Sequence, residues 1–352
     1  MKISHPVSFR KVRFFIIPVL LLITTAFLGI SYWFIFLCEG NWSGDSLEDR
    51  MKAELPEIRK NLESDVATLE KMGPRNSEDE TCYRQLRYCE GWISRRWEAQ
   101  GYSVKSQAFS VKGRDYSNLE IEIEGRTMPS EIIVVSAQYD TLPDSPGANN
   151  NGSGMAILFE LSRLLRSHAP DKTVRLVNFV NEEDPFFGTE AMGSYQYAKN
   201  AFQKGENIRI MLSLDALGIY NEEPGSQKLP FPFSLFYPDR GNFLAFIGNF
   251  SSRPFMKVTT RGFKKGSAFP IQAGVVPKWV KGADWSDHRS FWKFGYPAMM
   301  VTDTGAFRSP SHTTREDTME KLDFGALSRI VLGMYCVIVD LAQKEAPSSP
   351  SS

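Results

Sequence analysis

Two adjacent carboxylates, Glu182 and Glu183, stand just after an apolar run that ends at Val180, with Asn181 between. Like charges at such close range raise each other's pKa, so the pair is costly to hold unless a cation or a retained proton relieves it. The plain alternative is a solvated acidic turn, and a lone Glu-Glu pair carries little information by itself. Further polar residues sit at the ends of apolar runs elsewhere: Gln138 and Asp140 after 132–137, and Asp215 after 208–214. Carboxylates gathered from several strand ends can work as general acids and bases or hold a metal.

These residues need elements that bring them together. Strands are expected over 102–111, 118–123, 132–137, 174–180, 208–214 and 297–301. Several are continuous apolar runs, as in a sheet covered on both faces. Helices are expected over 46–71, closed by Gly73-Pro74, and over 78–100, 152–165, 190–202 and 324–342. In the helix over 152–165, Met155, Leu158, Leu161 and Leu165 recur at helical spacing. Alternating strands and helices imply an α/β fold, a mostly parallel central sheet with helices on both faces. In such sheets functional residues collect at the carboxyl ends of the strands, where the candidates lie. The stretch 221–279 shows no clear period and is expected to be an elaborated loop region beside the site. Its aromatic segment, Phe231–Tyr237, is expected to pack, with a substrate-facing wall as the other reading.

Five segments stand in order along this framework: Ser136-Ala-Gln-Tyr-Asp-Thr, Pro146-Gly-Ala-Asn-Asn-Asn-Gly-Ser-Gly, Asn181-Glu-Glu, Leu214-Asp-Ala-Leu-Gly and Ser311-His-Thr-Thr-Arg-Glu-Asp-Thr. With Gly73-Pro-Arg, Ser286-Asp-His and Phe186-Phe-Gly-Thr-Glu-Ala-Met-Gly-Ser, they resemble metallopeptidase family twenty-eight, the co-catalytic zinc aminopeptidases, over about residues 69–341. The resemblance implies a two-zinc site that hydrolyses peptide bonds at peptide N-termini with metal-activated water. Carried over position by position, Glu183, Asp215 and His312 match metal ligands and Glu182 matches the general base. Asp140 matches the acid that orients the first ligand.

Two positions depart from the pattern. Gln138 stands where the family has a His, and Asn150 where it has the Asp that bridges both metals. Amide oxygens are far poorer zinc ligands than imidazole or carboxylate. Asn150 also removes the charge that would offset repulsion between two dications. One zinc at most is therefore expected, held weakly through Glu183 and His312, and hydrolysis is expected to be impaired. The alternative is an inactive pseudopeptidase that binds a peptide or protein partner. The family's glutaminyl-cyclising relatives use one zinc through the Asp, Glu and His positions, and Asn150 compromises that reading too. Ser311 replaces a Tyr common just before the His. His288 is a candidate substrate contact, with a structural hydrogen bond to Asp287 as the competing reading.

The chain's 352 residues allow one large domain or two ordinary ones, and 41 basic residues balance 41 acidic ones, so no global charge favours nucleic acid. The N-terminus differs from the rest. Residues 14–38 form an uncharged apolar run preceded by Lys2, Arg10, Lys11 and Arg13. A bilayer core needs about 20 apolar residues as helix, so this run is expected to be an uncleaved anchor. The basic tail, 1–13, then lies in the cytoplasm and the bulk of the chain in periplasm, lumen or extracellular space. The remaining divisions are a charged helical stalk at 39–68, the peptidase-like domain at 69–345 and a disordered tail at 346–352. Cys82 and Cys89 fall about 10 Å apart along one helix, too far for a disulfide.

Overall fold

One mixed sheet carries the candidates. The computed structural model describes residues 16–26, 29, 39–231 and 233–344. Its strands are β1 (Lys105–Val111), β2 (Arg114–Ile123), β3 (Met128–Gln138), β4 (Lys172–Phe179), β5 (Asn207–Leu214), β6 (Leu244–Gly248), β7 (Ile271–Val275) and β8 (Ala298–Thr302). Their spatial order is β1-β2-β4-β3-β5-β8-β6-β7. The centre, β4-β3-β5-β8, is parallel, as expected. The flanks correct the mostly parallel picture: β1–β2, β2–β4 and β8–β6 pair antiparallel. The β1–β2 turn shows why on one side. Lys112 and Gly113 both take positive φ, giving a two-residue hairpin that forces antiparallel pairing.

Helices cover both faces. In β3, Ile133, Val135 and Ala137 point into the larger core while Ile132 and Val134 point into a smaller one. That alternation follows from the two-residue period of a strand. Helices α1 (Leu55–Met72), α2 (Glu80–Ala99), α3 (Gly154–Leu165), α5 (Arg253–Gly266) and α7 (Phe324–Ala342) supply the larger core. Helices α4 (Gly193–Gln203) and α6 (His288–Lys293) supply the smaller.

The expected stalk is mostly part of the domain. Ile58, Leu62, Val66 and Leu69 recur along one face of α1 and are fully buried. Each such side chain contributes about 1.5–3 kcal/mol. The helix closes at Gly73 with φ of 73°, a conformation that favours glycine.

The stretch 221–279 is also more than a loop region: it contains β6, α5 and β7. Glycines obscured α5. A Cβ on Gly262 would lie 3.0 Å from Val337 Cα, and Gly266 backs onto the Leu332 carbonyl. Glycine weakens the helical pattern but lets α5 lie close against α7.

Of the expected anchor, the structure describes an apolar, exposed helix at Ile16–Ala26. The basic tail, most of 27–38 and the Pro/Ser tail lie outside the described residues. Among those described, the one helix long and apolar enough to span a bilayer is α7, and it is 67% buried within the protein, as a core helix is.

A candidate active-site cluster at the strand ends

The parallel strands deliver the candidates to one end of the sheet. Gln138 is the last residue of β3, Asp140 lies two residues beyond it, and Glu182 and Glu183 follow β4. Asp215 follows β5, and His312 lies on the segment after β8. Backbone conformation there is unusual. Three of the five non-glycine residues with positive φ among the described residues directly neighbour these candidates, Asn181, Ala216 and Thr313, and a fourth, Thr304, follows the nearby Asp303. Left-handed backbone in ordinary residues costs free energy and collects at functional sites.

Three buried carboxylates hold these turns by accepting backbone hydrogen bonds. Asp140 accepts the Glu182 and Glu183 N–H groups at 3.1 and 3.0 Å. Asp317 accepts those of Asn149 and Asn150 at 2.8 and 3.0 Å. Asp303 accepts from Gly305 N at 2.8 Å, Ile219 N at 2.9 Å and Asn149 Nδ2 at 2.9 Å. A fully buried Arg75 ties the same region to α1, donating to the carbonyls of Leu69, Gly73, Tyr139 and Pro146.

At the centre, amides and carboxylates bond to one another. Asn151 Nδ2 donates to Gln138 Oε1 at 2.6 Å and to the Leu214 carbonyl at 2.7 Å. Gln138 Nε2 faces Asn150 Oδ1 at 3.3 Å and Glu182 Oε2 at 3.4 Å. Asn150 Nδ2 donates to Glu183 Oε1 at 2.5 Å. This chain links the ends of β3, β4 and β5.

Burial sets the proton affinities. It raises Glu182 well above the ordinary carboxylate range, helped by the charges of Glu183, Asp215, Asp287 and Asp140. Glu183 is raised by burial and then by Asp140 and Asp215, with the Asn150 hydrogen bond pulling down. Burial pushes Asp215 up to about 7, against hydrogen bonds from Ser286 and Gln138. Asp140 and Asp317 rise to about 6, also through burial. His312 is lowered by burial, and its Nδ1 has no partner among the described residues.

A cavity of about 120 Å³ opens beside Asp215 and His312, walled by Phe233, Tyr237, Ile247, Val280, Trp285 and Phe307. Phe233 and Tyr237, of the aromatic segment, thus line this cavity. His288 takes neither role expected of it. It is fully buried, and its Nε2 meets the Ala283 carbonyl at 2.8 Å, so it serves packing instead of touching substrate or Asp287.

Residues 118–337 match the model of Peptidase family M28. The chain belongs to this family. Among M28-like relatives, an Escherichia coli K12 protein described as uncharacterized protein YfbL is 31% identical over 256 residues, covering 70% of this chain and 78% of its own. A probable zinc metalloprotease of Pyrenophora teres is 25% identical over 347 residues, covering 86% and 70%. The Legionella pneumophila LapA aminopeptidase structure has a TM-score of 0.64 at 16% identity, over 87% of this chain and 78% of that one. An Aneurinibacillus aminopeptidase structure gives 0.59 at 14%, over 84% and 96%. At these identities the structures establish the shared fold.

M28 membership implies zinc, yet this donor set does not fit the family's pair of ions. Among the described residues no three His, Cys, Asp or Glu side chains come together as a metal cage. An amide beside a carboxylate turns its NH₂ toward it, because oxygen facing oxygen would repel; a metal between Asn150 and Glu183 requires the reverse. The Gln138 oxygen is likewise taken by Asn151.

Sequence reasoning missed Asp303, Asp317, Asn149 and Asn151. Asp303 was within reach, since it follows an expected strand just as Asp215 does. Asp317 was not, because its partners lie 167 and 168 residues away.

Proposed function

We propose that this chain is a membrane-anchored member of the family that binds a peptide end in the cavity beside Asp215 and His312, without efficient two-zinc hydrolysis. The hydrogen-bonded chain Asn151–Gln138–Asn150–Glu183 carries this reading, because it joins the strand ends with neutral amides. The cavity's apolar walls suit a hydrophobic side chain, and Asp215 at its edge suits an amino group. Peptide substrates in the wider family support the choice of ligand.

A second reading is hydrolysis with Glu182 as the base, favoured by its retention and by the unpartnered His312 Nδ1. Burial and neighbouring carboxylates raise the Glu182 carboxyl and so disfavour its charged form, which a base role requires, where no positive charge is brought to the site. Hydrophobic N-terminal peptides, titrated into the full chain with chelator present, separate the readings. Unchanged affinity is expected, with no aminoacyl-anilide hydrolysis above background. Stoichiometric zinc, together with hydrolysis that disappears in Glu182→Gln, would overturn the binding reading.

A further inference from the structure

The three most exposed large apolar side chains after residue 39 lie on two loops that share the cavity. Trp279 is 81% exposed, Phe231 80% and Leu235 68%; the next, Tyr88, is 59%. The loops, 228–237 and 276–285, are tied by the Tyr237 hydroxyl, which donates to the Ala273 carbonyl at the base of the second. The cavity does not account for the three exposed side chains. Phe233 and Tyr237 turn inward to line it, whereas Phe231, Leu235 and Trp279 are not among its walls. Clustered exposed apolar side chains mark interaction surfaces.

Their company indicates the partner. Lys228 and Lys278 are exposed on the same loops and form no ion pair among the described residues, while Lys281, also exposed, lies over the Trp285 ring at the cavity. Trp and Phe beside unpaired Lys suit a bilayer interface, with rings at headgroup depth and ammonium groups on anionic lipids. The chain leaving the N-terminal apolar run is held at the β6–β7 edge of the sheet. Glu39 pairs with Lys264 at 2.9 Å, and Gly40 N donates to Thr260 Oγ1 at 2.8 Å. Both partners lie on α5, which packs on β6 and β7. Residues of those two strands, Ile247 and Gln272 among them, line the cavity.

We infer that the outward faces of these loops dock on an anionic membrane surface, so that the cavity opens at the bilayer interface. The rim then admits peptide ends presented at the membrane in preference to peptides free in solution. This goes beyond the proposed function and is independent of whether the site cleaves or only binds.

The test uses the full chain with vesicles of phosphatidylcholine, with and without phosphatidylglycerol, whose acyl chains carry bromine. The emission of wild type minus that of Trp279→Phe isolates Trp279. On anionic vesicles this signal is expected to fall by about half, and by less on neutral vesicles or in high salt. Leu235→Glu, or Lys228→Glu with Lys278→Glu, should restore it; all three side chains are exposed and lie outside the cavity walls, and circular dichroism checks the fold. Flotation separates this inference from the anchor: loss of all vesicle binding overturns both, whereas retained binding with Trp279 unquenched overturns the rim alone. A blue shift of Trp279 with a soluble hydrophobic peptide, without lipid quenching, would assign the surface to peptide instead and overturn the lipid reading.

Discussion

The scaffold around the cluster and the centre of the cluster are built from different chemistry. Around it, Asp140, Asp303 and Asp317 each accept two or more hydrogen bonds, mostly from backbone N–H groups of the strand-end turns. At the centre, Gln138 and Asn150 stand where the resemblance places His and Asp, and they bond to their neighbours. The scaffold's bonds run from carboxylate to backbone and need no cation. Its turns can therefore persist while the centre loses its best metal donors. The contrast explains how a chain can keep a peptidase fold, cavity and second carboxylate layer with a donor set unsuited to two zinc ions.

The sharpest way to break this comparison is to remove a scaffold carboxylate. Asp303→Ala leaves the buried Gly305 N–H, the partly buried Ile219 N–H and the Asn149 amide without their acceptor. Each orphaned donor costs about 1–3 kcal/mol, so a loss of roughly 3–5 kcal/mol is expected in urea denaturation. Gln138→Asn, at the centre, should cost far less. If the two cost the same, the distinction between scaffold and centre fails.

The second test restores the centre. Gln138→His with Asn150→Asp returns imidazole and a bridging carboxylate, and zinc affinity by calorimetry should rise at least about 100-fold. The variant should also melt lower with chelator and higher with zinc, because its added carboxylate joins Glu182, Glu183 and Asp215. Wild type should show little response to either. Equal zinc affinity in both proteins would mean that the amides do not limit metal binding.

How far the sequence foreshadowed this contrast depends on the kind of signal. The centre was legible because Glu182, Glu183 and Asp215 follow apolar strands and His312 falls in an ordered motif. The scaffold was partly hidden. Asp317 and Asn149 act through backbone groups far away in the chain, and no local pattern records such a pairing. The same applies to β6 and β7, whose five residues each include a glycine and leave too short a run to show alternation. In α5 the glycines that permit close approach to α7 also dilute its helical pattern.

A pH profile sharpens the comparison within the centre. Asp215 titrates at about 7 in the folded chain against 3.8 as the ordinary value. With the folded pKa raised, its stabilising contribution is full below about pH 4 and is lost as pH rises through 7. His288, lowered to about 4 by burial, acts with the opposite sign between pH 4 and 6.5. It is common to wild type and Asp215→Asn and cancels in their difference, whereas Glu182 and Glu183, raised in part by Asp215, change with it and add to the same sign. With chelator present, wild-type Tm is expected to fall relative to Asp215→Asn by a few degrees between pH 5 and 8. A flat difference would show that Asp215 is not held in its protonated form.

The smallest effect is expected where scaffold and centre meet, at Gly305. Its φ is 46°, and a Cβ there would lie 2.8 Å from His312 Cε1. Its N–H is also one of the bonds held by Asp303. Gly305→Ala therefore strains the turn and pushes the His312 ring, at a cost of about 1–2 kcal/mol. Because His312 borders the cavity beside Asp215, peptide affinity should weaken more than stability does. If affinity holds while stability falls, His312 belongs to the scaffold and the boundary between the two regions must be moved inward.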